Sequence, residues 1–351
     1  MKVGFDTKKA VRNHTGIGNY SRRCILAIKQ SGTEVKHFYC GIPILGEIWR
    51  NCLQWLSIKH AHIDVYHGLS NELPFGITLS GTKSVVTIHD LIFLRMPKTY
   101  SWLQRQILSV KTRYACKVAD RIIAVSEMTK RDIVNYYHIA PSRITVVYQS
   151  IDNIYRNIMS DKQLKQCVQH YHLPDCYILC VGTIQERKNQ HTLVKALPLL
   201  PANVHLVLVG KEEPYSNIVH KTAEELNVTS RVHIYQGIHS ADLTAFYQSA
   251  TVFACLSRFE GFGIPLAEAL ASGLPVIGAT GSCLEEAGGP HSIYLSPDDY
   301  EGLAKAVNNL LTNKTLREMM SKQGKAYSLR FTDEQLGNNL MSIYRSVVDN
   351  T

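Results

Sequence analysis

Short apolar runs rich in Val and Ile recur along the chain, each closed by Gly, Ser, Asp or Thr and followed by a stretch of helical periodicity. In the first half the runs are KVGFD, VKHFYCG, DVYHG, SVVTIHD, RIIAVS and ITVVYQS. The second half repeats the grammar with YILCVGT, VHLVLVG, VHIYQG, VFACLS, LPVIGAT and SIYLSP. Uninterrupted apolar runs alternating with helices predict parallel sheets covered on both faces, an α/β fold of two doubly wound, Rossmann-like units. The seam is expected in the polar, Asn- and Pro-containing stretch 152–175, giving a first domain over 1–165 and a second over 166–333. A closing helix is expected over 334–351. Thr332 suits its N-cap with Gln335 three residues on, and Leu336, Leu340, Ile343 and Val347 recur at helical spacing.

Composition fits two ordinary cores: 351 residues, 45% of them apolar. No apolar run approaches the roughly 18 residues of a membrane span, and the start MKVGFD reads as a first strand, so a cytoplasmic protein is expected. Nine scattered cysteines, several inside strand-like runs, read as free thiols of a reducing compartment. The cluster Cys167, His170, His172, Cys176 and Cys180 has no familiar zinc spacing, and no metal site is expected. Charge is uneven. Residues 1–166 hold 24 Lys and Arg against 11 Asp and Glu, and residues 167–351 hold 14 against 18. The basic half calls for an anionic partner, a lipid surface or phosphorylated acceptor, and no zinc-finger or RNP motif points to nucleic acid.

Ligands of open parallel sheets bind beyond the carboxyl ends of the strands. After YILCVGT, Arg187 and Lys188 precede Asn189, a good N-cap, and a helix beginning near Gln190. Two cations and a helix N-terminus suit a diphosphate. After TVFACL, the stretch RFEGFGIPLAEALASGLPVI (258–277) sets Glu260 in a loop and Glu268 near the first turn of a helix over about 265–272. Both acids are expected to overlook the same crevice, and because they would repel a phosphate their expected partners are sugar hydroxyls, with Gly261 and Gly263 allowing close backbone approach. In the first half, SVVTIHD sets His89 and Asp90 at a strand end. HTGIGNYSRR sets a Gly16-Ile17-Gly18 turn before a helix.

These segments together resemble the retaining nucleotide-sugar glycosyltransferases of family 4, which have the two-domain GT-B fold. FEGFGIPLAEALASGLPVI is similar to that family's acid-x7-acid segment, VGTIQERKN to its phosphate loop, and GIGNY, TIHD and ADRIIAVSEMTKRDI to its N-terminal signatures. The resemblance implies an N-terminal acceptor domain and a C-terminal donor domain facing a cleft, with the last helix crossing back to the first domain. It further implies that Glu268 holds the ribose, Glu260 and His89 contact the transferred hexose, Arg187 and Lys188 neutralise the diphosphate, Gly16 and Gly18 approach it, and Phe262 and Gly263 offer backbone amides. Three departures stand out: Gly182-Thr183 where many relatives carry Arg after the glycine, Gln149-Ser150 for Asn-Gly, and GSCLE, which keeps Glu285 without the usual proline.

The implied chemistry is metal-independent transfer of a hexose, with mannose from GDP-mannose favoured, to a glycan or lipid-linked saccharide of cell-surface polysaccharide synthesis. The enzyme would need no cofactor beyond its donor. UDP-linked hexoses or N-acetylhexosamines are alternatives, as is a nucleotide-sugar epimerase of similar fold. A dinucleotide fingerprint is broken by Ser21 in the position of its third glycine. Basic residues interleaved with Trp49, Trp55, Trp102, Leu103, Ile107 and Val110 suit peripheral association with the anionic inner face of a membrane. Inward-facing apolar positions on ordinary helices are the alternative.

Overall fold

Each predicted apolar run becomes a strand. The computed structural model describes residues 1–12 and 16–349, in which β1 (Lys2–Asp6), β2 (Glu34–Phe38), β3 (Val65–Gly68), β4 (Lys83–Ile88), β5 (Arg121–Ala124) and β6 (Ile144–Val146) form one sheet in the order β2-β1-β3-β4-β5-β6. The second sheet takes β7 (Tyr177–Val181), β8 (His205–Val209), β9 (Val232–Tyr235), β10 (Val252–Cys255), β11 (Val276–Ala279) and β12 (Ile293–Leu295) in the order β12-β11-β10-β7-β8-β9. All pairings are parallel. The central strands β3, β10 and β11 are buried at every residue, and β1, β4, β5, β7 and β8 at all but one end residue, because helices cover both faces. The edge strands β2, β9 and β12 are only partly buried.

Two compact units result: Met1–Ser150 with Phe331–Thr351, and Ile151–Arg330. The sequence boundary at 165 needs correction, because residues 151–159 pack on the second unit. Tyr155 is buried with its ring edge-on to Tyr247, Ser272 donates to the Tyr155 carbonyl at 3.1 Å, and Arg156 donates to the Ser328 hydroxyl and carbonyl at 2.7 and 2.9 Å.

The closing helix, Asp333–Asp349, belongs to the first unit. Gln335 N donates to the Thr332 hydroxyl at 3.2 Å, so Thr332 caps it. Leu336, Leu340, Ile343, Tyr344 and Val347 enter a core with Val3, Phe5, Tyr20, Cys24 and Ile28. A polar thread runs through this core. The Tyr344 hydroxyl meets His67 Nδ1 at 2.7 Å, His67 Nε2 meets the Thr87 hydroxyl at 2.8 Å, and Thr87 also bonds Tyr20 at 2.9 Å. Burial chiefly, then neighbouring His89, lowers the His67 pKa to about 3, so the imidazole is neutral and the thread holds no buried charge. Arg23 fastens the helix start through Asp333 at 2.8 Å, and Ser150 donates to the same carboxylate.

Leu340 is fully buried, so Leu340→Ala should cost about 2–5 kcal/mol. All three tryptophans lie in the first unit, so intrinsic fluorescence in a urea titration reads this unit selectively. The expected result is a lower midpoint at unchanged slope. An unshifted midpoint would remove the helix from the core assigned to it.

Candidate functional site

The second unit gathers its chemistry on the loops that follow β7 and β10. Two glycines set the first loop. Gly182, at φ +136°, donates from N to the Val209 carbonyl at 2.8 Å, and a Cβ there would press on Lys188 Nζ at 3.2 Å. A Cβ at Gly210 would fall 2.1 Å from the Gly182 carbonyl oxygen, so the loops after β7 and β8 touch backbone to backbone. The chain then makes one short turn, Glu186–Lys188, and enters the helix Gln190–Ala196.

Asn189 stands at the junction but does not cap the helix as expected. It takes a left-handed conformation, φ +60°, and its side chain makes no cap bond. It is fully buried instead. Its amide donates to the carbonyls of Leu256 at 3.2 Å and Pro297 at 2.7 Å, and its oxygen accepts from Thr192 and from Arg258. Arg258 N in turn donates to the Arg187 carbonyl at 2.8 Å. Asn189 thereby ties the loop after β7 to the loops after β10 and β12.

Across this junction Glu260 meets both cations. Its carboxylate lies 2.7 Å from Arg187 Nη1 and 2.6 Å from Lys188 Nζ, and the residue is only 8% exposed. Burial would raise its pKa, but the charges of Lys188 and then Arg187, with their hydrogen bonds, outweigh burial and bring it to about 2. Sugar hydroxyls are the partners expected for Glu260; within the chain its partners are the two cations expected to bind a diphosphate. A lone buried carboxylate would be costly, and pairing removes that cost.

Glu268 is the fifth residue of the helix Ile264–Ala271, past its first turn. It is half-buried and accepts from the Tyr247 hydroxyl at 2.8 Å. Sequence reasoning missed Tyr247, because in AFYQSA it looks like one more apolar helix position. Its ring is fully buried against Phe253 and Tyr155. Phe262 is buried too, and Gly263, at φ +113°, lies where a Cβ would strike Leu284 at 2.8 Å, so the Gly-Phe-Gly turn is packed tightly beneath the helix start. Glu285 accepts from Gly281 N at 3.2 Å.

In the first unit His89 follows β4. It is 5% exposed, its Nε2 donates to the Leu69 carbonyl at 2.8 Å, and the Tyr20 ring stands edge-on at 4.8 Å. Burial, only partly opposed by the Leu69 bond, lowers its pKa to about 4. His89 is therefore neutral with the proton on Nε2, and Nδ1 is its basic nitrogen. Gly16 and Gly18 form no turn. They open the helix Gly16–Gln30, where Gly18 is buried and a Cβ on Gly16 would meet only open space; His14 and Thr15, at the start of that motif, lie outside the described residues. The cluster around Cys167 is tied up otherwise: Cys167 and Tyr171 both bond Asp242. Among the described residues no three His, Cys, Asp or Glu side chains gather as a metal site.

Residues 29–153 match the family described as Glycosyltransferase Family 4, and residues 170–327 match Glycosyl transferases group 1. The chain is 25% identical to the O-antigen chain mannosyltransferase B of Escherichia coli, covering 98% of this chain and 100% of the relative. It is 26% identical to the serotype-specific mannosyltransferase WbdA of Escherichia coli over 77% of this chain but only 34% of that longer protein. Among solved structures, a sucrose-phosphate synthase from Thermosynechococcus elongatus superposes with a TM-score of 0.81 at 18% identity, covering 100% of both chains. Anabaena HepE in complex with UDP superposes at 0.75 and 18% identity, covering 98% of this chain and 99% of its own. Two parallel six-stranded units and both family matches give one conclusion: this chain belongs to the GT-B glycosyltransferases, with a Family 4 domain followed by a group 1 domain.

Proposed function

We propose that the chain transfers a hexose, mannose from GDP-mannose, to a glycan or lipid-linked saccharide in cell-surface polysaccharide synthesis, with retention of anomeric configuration and without a metal ion. The observation that carries this reading is the Arg187–Glu260–Lys188 cluster at the strand ends. Glu260 holds the two cationic head groups converged before any ligand arrives, so little side-chain freedom remains to be lost when a diphosphate binds. As the nucleoside diphosphate departs, negative charge grows on its bridging oxygen, and fixed cations in a partly desolvated site stabilise that charge. A carboxylate has about four lone-pair sites, and two are engaged, so Glu260 retains capacity for a hexose hydroxyl. Tyr247 orients Glu268 toward the ribose. In the first unit, His89 is neutral and fixed by Leu69, with Nδ1 as its basic nitrogen. The backbone of Phe262 and Gly263 faces the hexose. The mannosyl assignment is supported by the O-antigen relatives.

Incubation with labelled GDP-mannose, UDP-glucose and UDP-N-acetylglucosamine, with EDTA present and with lipid-linked acceptors, should give transfer from GDP-mannose with the α-configuration kept. Transfer only from a UDP sugar would reassign the donor, and activity that EDTA abolishes and magnesium restores would refute metal independence. Lys188→Ala and Glu268→Ala should each weaken donor binding by about 10- to 150-fold, the loss of one charged hydrogen bond of roughly 1.5–3 kcal/mol. Calorimetry showing unchanged affinity in both would disprove the site.

Glu260 also makes stability depend on pH. Its folded pKa, about 2, is below the ordinary carboxylate value, so its stabilising contribution is complete above about pH 4.5 and is lost as pH falls toward 2. Urea titrations from pH 7 to 3, read by far-ultraviolet circular dichroism, should show a shallower acid decline in Glu260→Gln than in the parent. Parallel declines would mean that the ion cluster does not form.

The acceptor side includes an anionic membrane surface. Trp102, Leu103, Ile107 and Val110 are exposed along the helix Trp102–Val118, with Trp102 69% exposed, and Leu45, Ile48, Leu53 and Leu56 are exposed along the segment 43–60. These positions are outer faces, not the inner faces of ordinary helices. Trp49 and Trp55 are half-buried. No described helix is long and apolar enough to cross a membrane. Sedimentation with vesicles should show binding that rises with anionic lipid content and falls with salt, as screening requires. Equal recovery in the supernatant with neutral and anionic vesicles would point to a soluble acceptor.

A further inference from the structure

We infer that the second unit carries another ligand site, for a small phosphorylated polyol such as a hexose monophosphate, in a cavity at the end of its sheet opposite the cluster around Glu260. The cavity is open to solvent and has a volume of about 720 Å³, within the range of small-molecule sites, roughly 300–1,000 Å³. Ala250 and Thr251, just before β10, and Leu274 and Pro275, just before β11, form its floor. Glu260 lies instead beyond the far end of β10, so the cavity is separate from the donor site.

Its charge is the telling feature. The helix Lys314–Ser328 presents Arg317, Ser321 and Lys325 at four-residue intervals, with Lys322 beside them. These three cations share one cavity although residues 167–351 hold fewer Lys and Arg than Asp and Glu, 14 against 18. Glu318 is the acid on the lining, and it lies 3.6 Å from Lys314. Arg317 is held in place by Nη1 donating to the carbonyls of Leu310 and Leu311, which leaves its other guanidinium nitrogens without a partner among the described residues. Neither Lys322 nor Lys325 makes an ion pair among the described residues.

The walls complete the chemistry. Gly273, at φ +80°, takes the left-handed conformation that favours glycine, and the end of the Lys325 side chain rests over this turn. Ser272 uses its proton on the Tyr155 carbonyl, so its oxygen faces a ligand as an acceptor, and Thr251 and Ser321 add two more hydroxyls. Cations beside hydroxyl groups, over the apolar floor of Leu274 and Pro275, suit a phosphate carried on a hydroxylated body. Tyr247 forms one wall, the same residue whose hydroxyl holds Glu268.

The test is calorimetric titration of the full chain with mannose 6-phosphate and, separately, inorganic phosphate. Binding of mannose 6-phosphate should persist in the double variant Arg187→Ala, Lys188→Ala, which disables the donor cations. It should weaken at least tenfold in Lys322→Glu, Lys325→Glu, by an intermediate factor in Lys322→Gln, Lys325→Gln, and with rising salt. Both lysines are exposed, so these variants should keep the parent's circular dichroism, and the glutamine pair serves if the glutamate pair does not. Weaker binding of inorganic phosphate would show that the hydroxyl-bearing body contributes; equal binding would reduce the site to an anion site and overturn the assigned ligand class. No heat of binding in the parent at about 10 mM ligand, or binding lost with Arg187 and Lys188 yet kept without Lys322 and Lys325, would overturn the site itself.

Discussion

A carboxylate removed from water stays ionised only where opposite charge is close, and in the second unit that requirement fixes the geometry of two loops. Glu260 arrives on the loop after β10, and Arg187 and Lys188 arrive on the loop after β7, 72 residues earlier for the nearer of the two. Neither loop could relax alone. Moving one would leave either a buried anion or two converging cations without their counter-charge, a penalty of several kcal/mol. Asn189 adds the neutral fastening, with amide bonds to carbonyls on two further segments. The glycines at 182 and 210 supply the clearance that brings Lys188 into line.

The fold was legible because parallel sheets covered on both faces write themselves as uninterrupted apolar runs, and each of the twelve runs became a strand. The closing helix was legible for a different reason: its period and its Thr332 cap are local signals. The errors fall where the deciding contact is distant. Gly16 and Gly18 look like a turn by composition, yet a helix tolerates them where Gly18 packs inside. Asn189 has the residue type of a cap, but buried carbonyls of two other loops compete for its amide and win. Residues 151–165 carry the polarity of a linker, whereas buried Tyr155 commits the segment to the second unit.

For the site, residue types were legible and partnerships were not. Arg187, Lys188, Glu260 and Glu268 could be singled out because charged residues just beyond buried strands have few structural reasons to be there. That Glu260 would pair with both cations depends on how β7 and β10 lie side by side in the sheet, which no local window records. Tyr247 was invisible for the same reason. Its hydroxyl meets a residue 21 positions away, while its ring behaves like any core aromatic.

The return of the chain to the first unit at Phe331 carries a consequence for synthesis on the ribosome. The core around Val3, Phe5 and Ile28 is completed by Leu336, Leu340 and Tyr344, which are translated only after the whole of residues 151–330. At about 5–20 residues per second that interval lasts roughly 10–35 s. During it the unit encoded first is the one still open, exposing the apolar face that the last helix will cover. At its end the unit encoded second has every residue it needs while the first still lacks its last helix, so order of translation and order of completion are reversed in this protein.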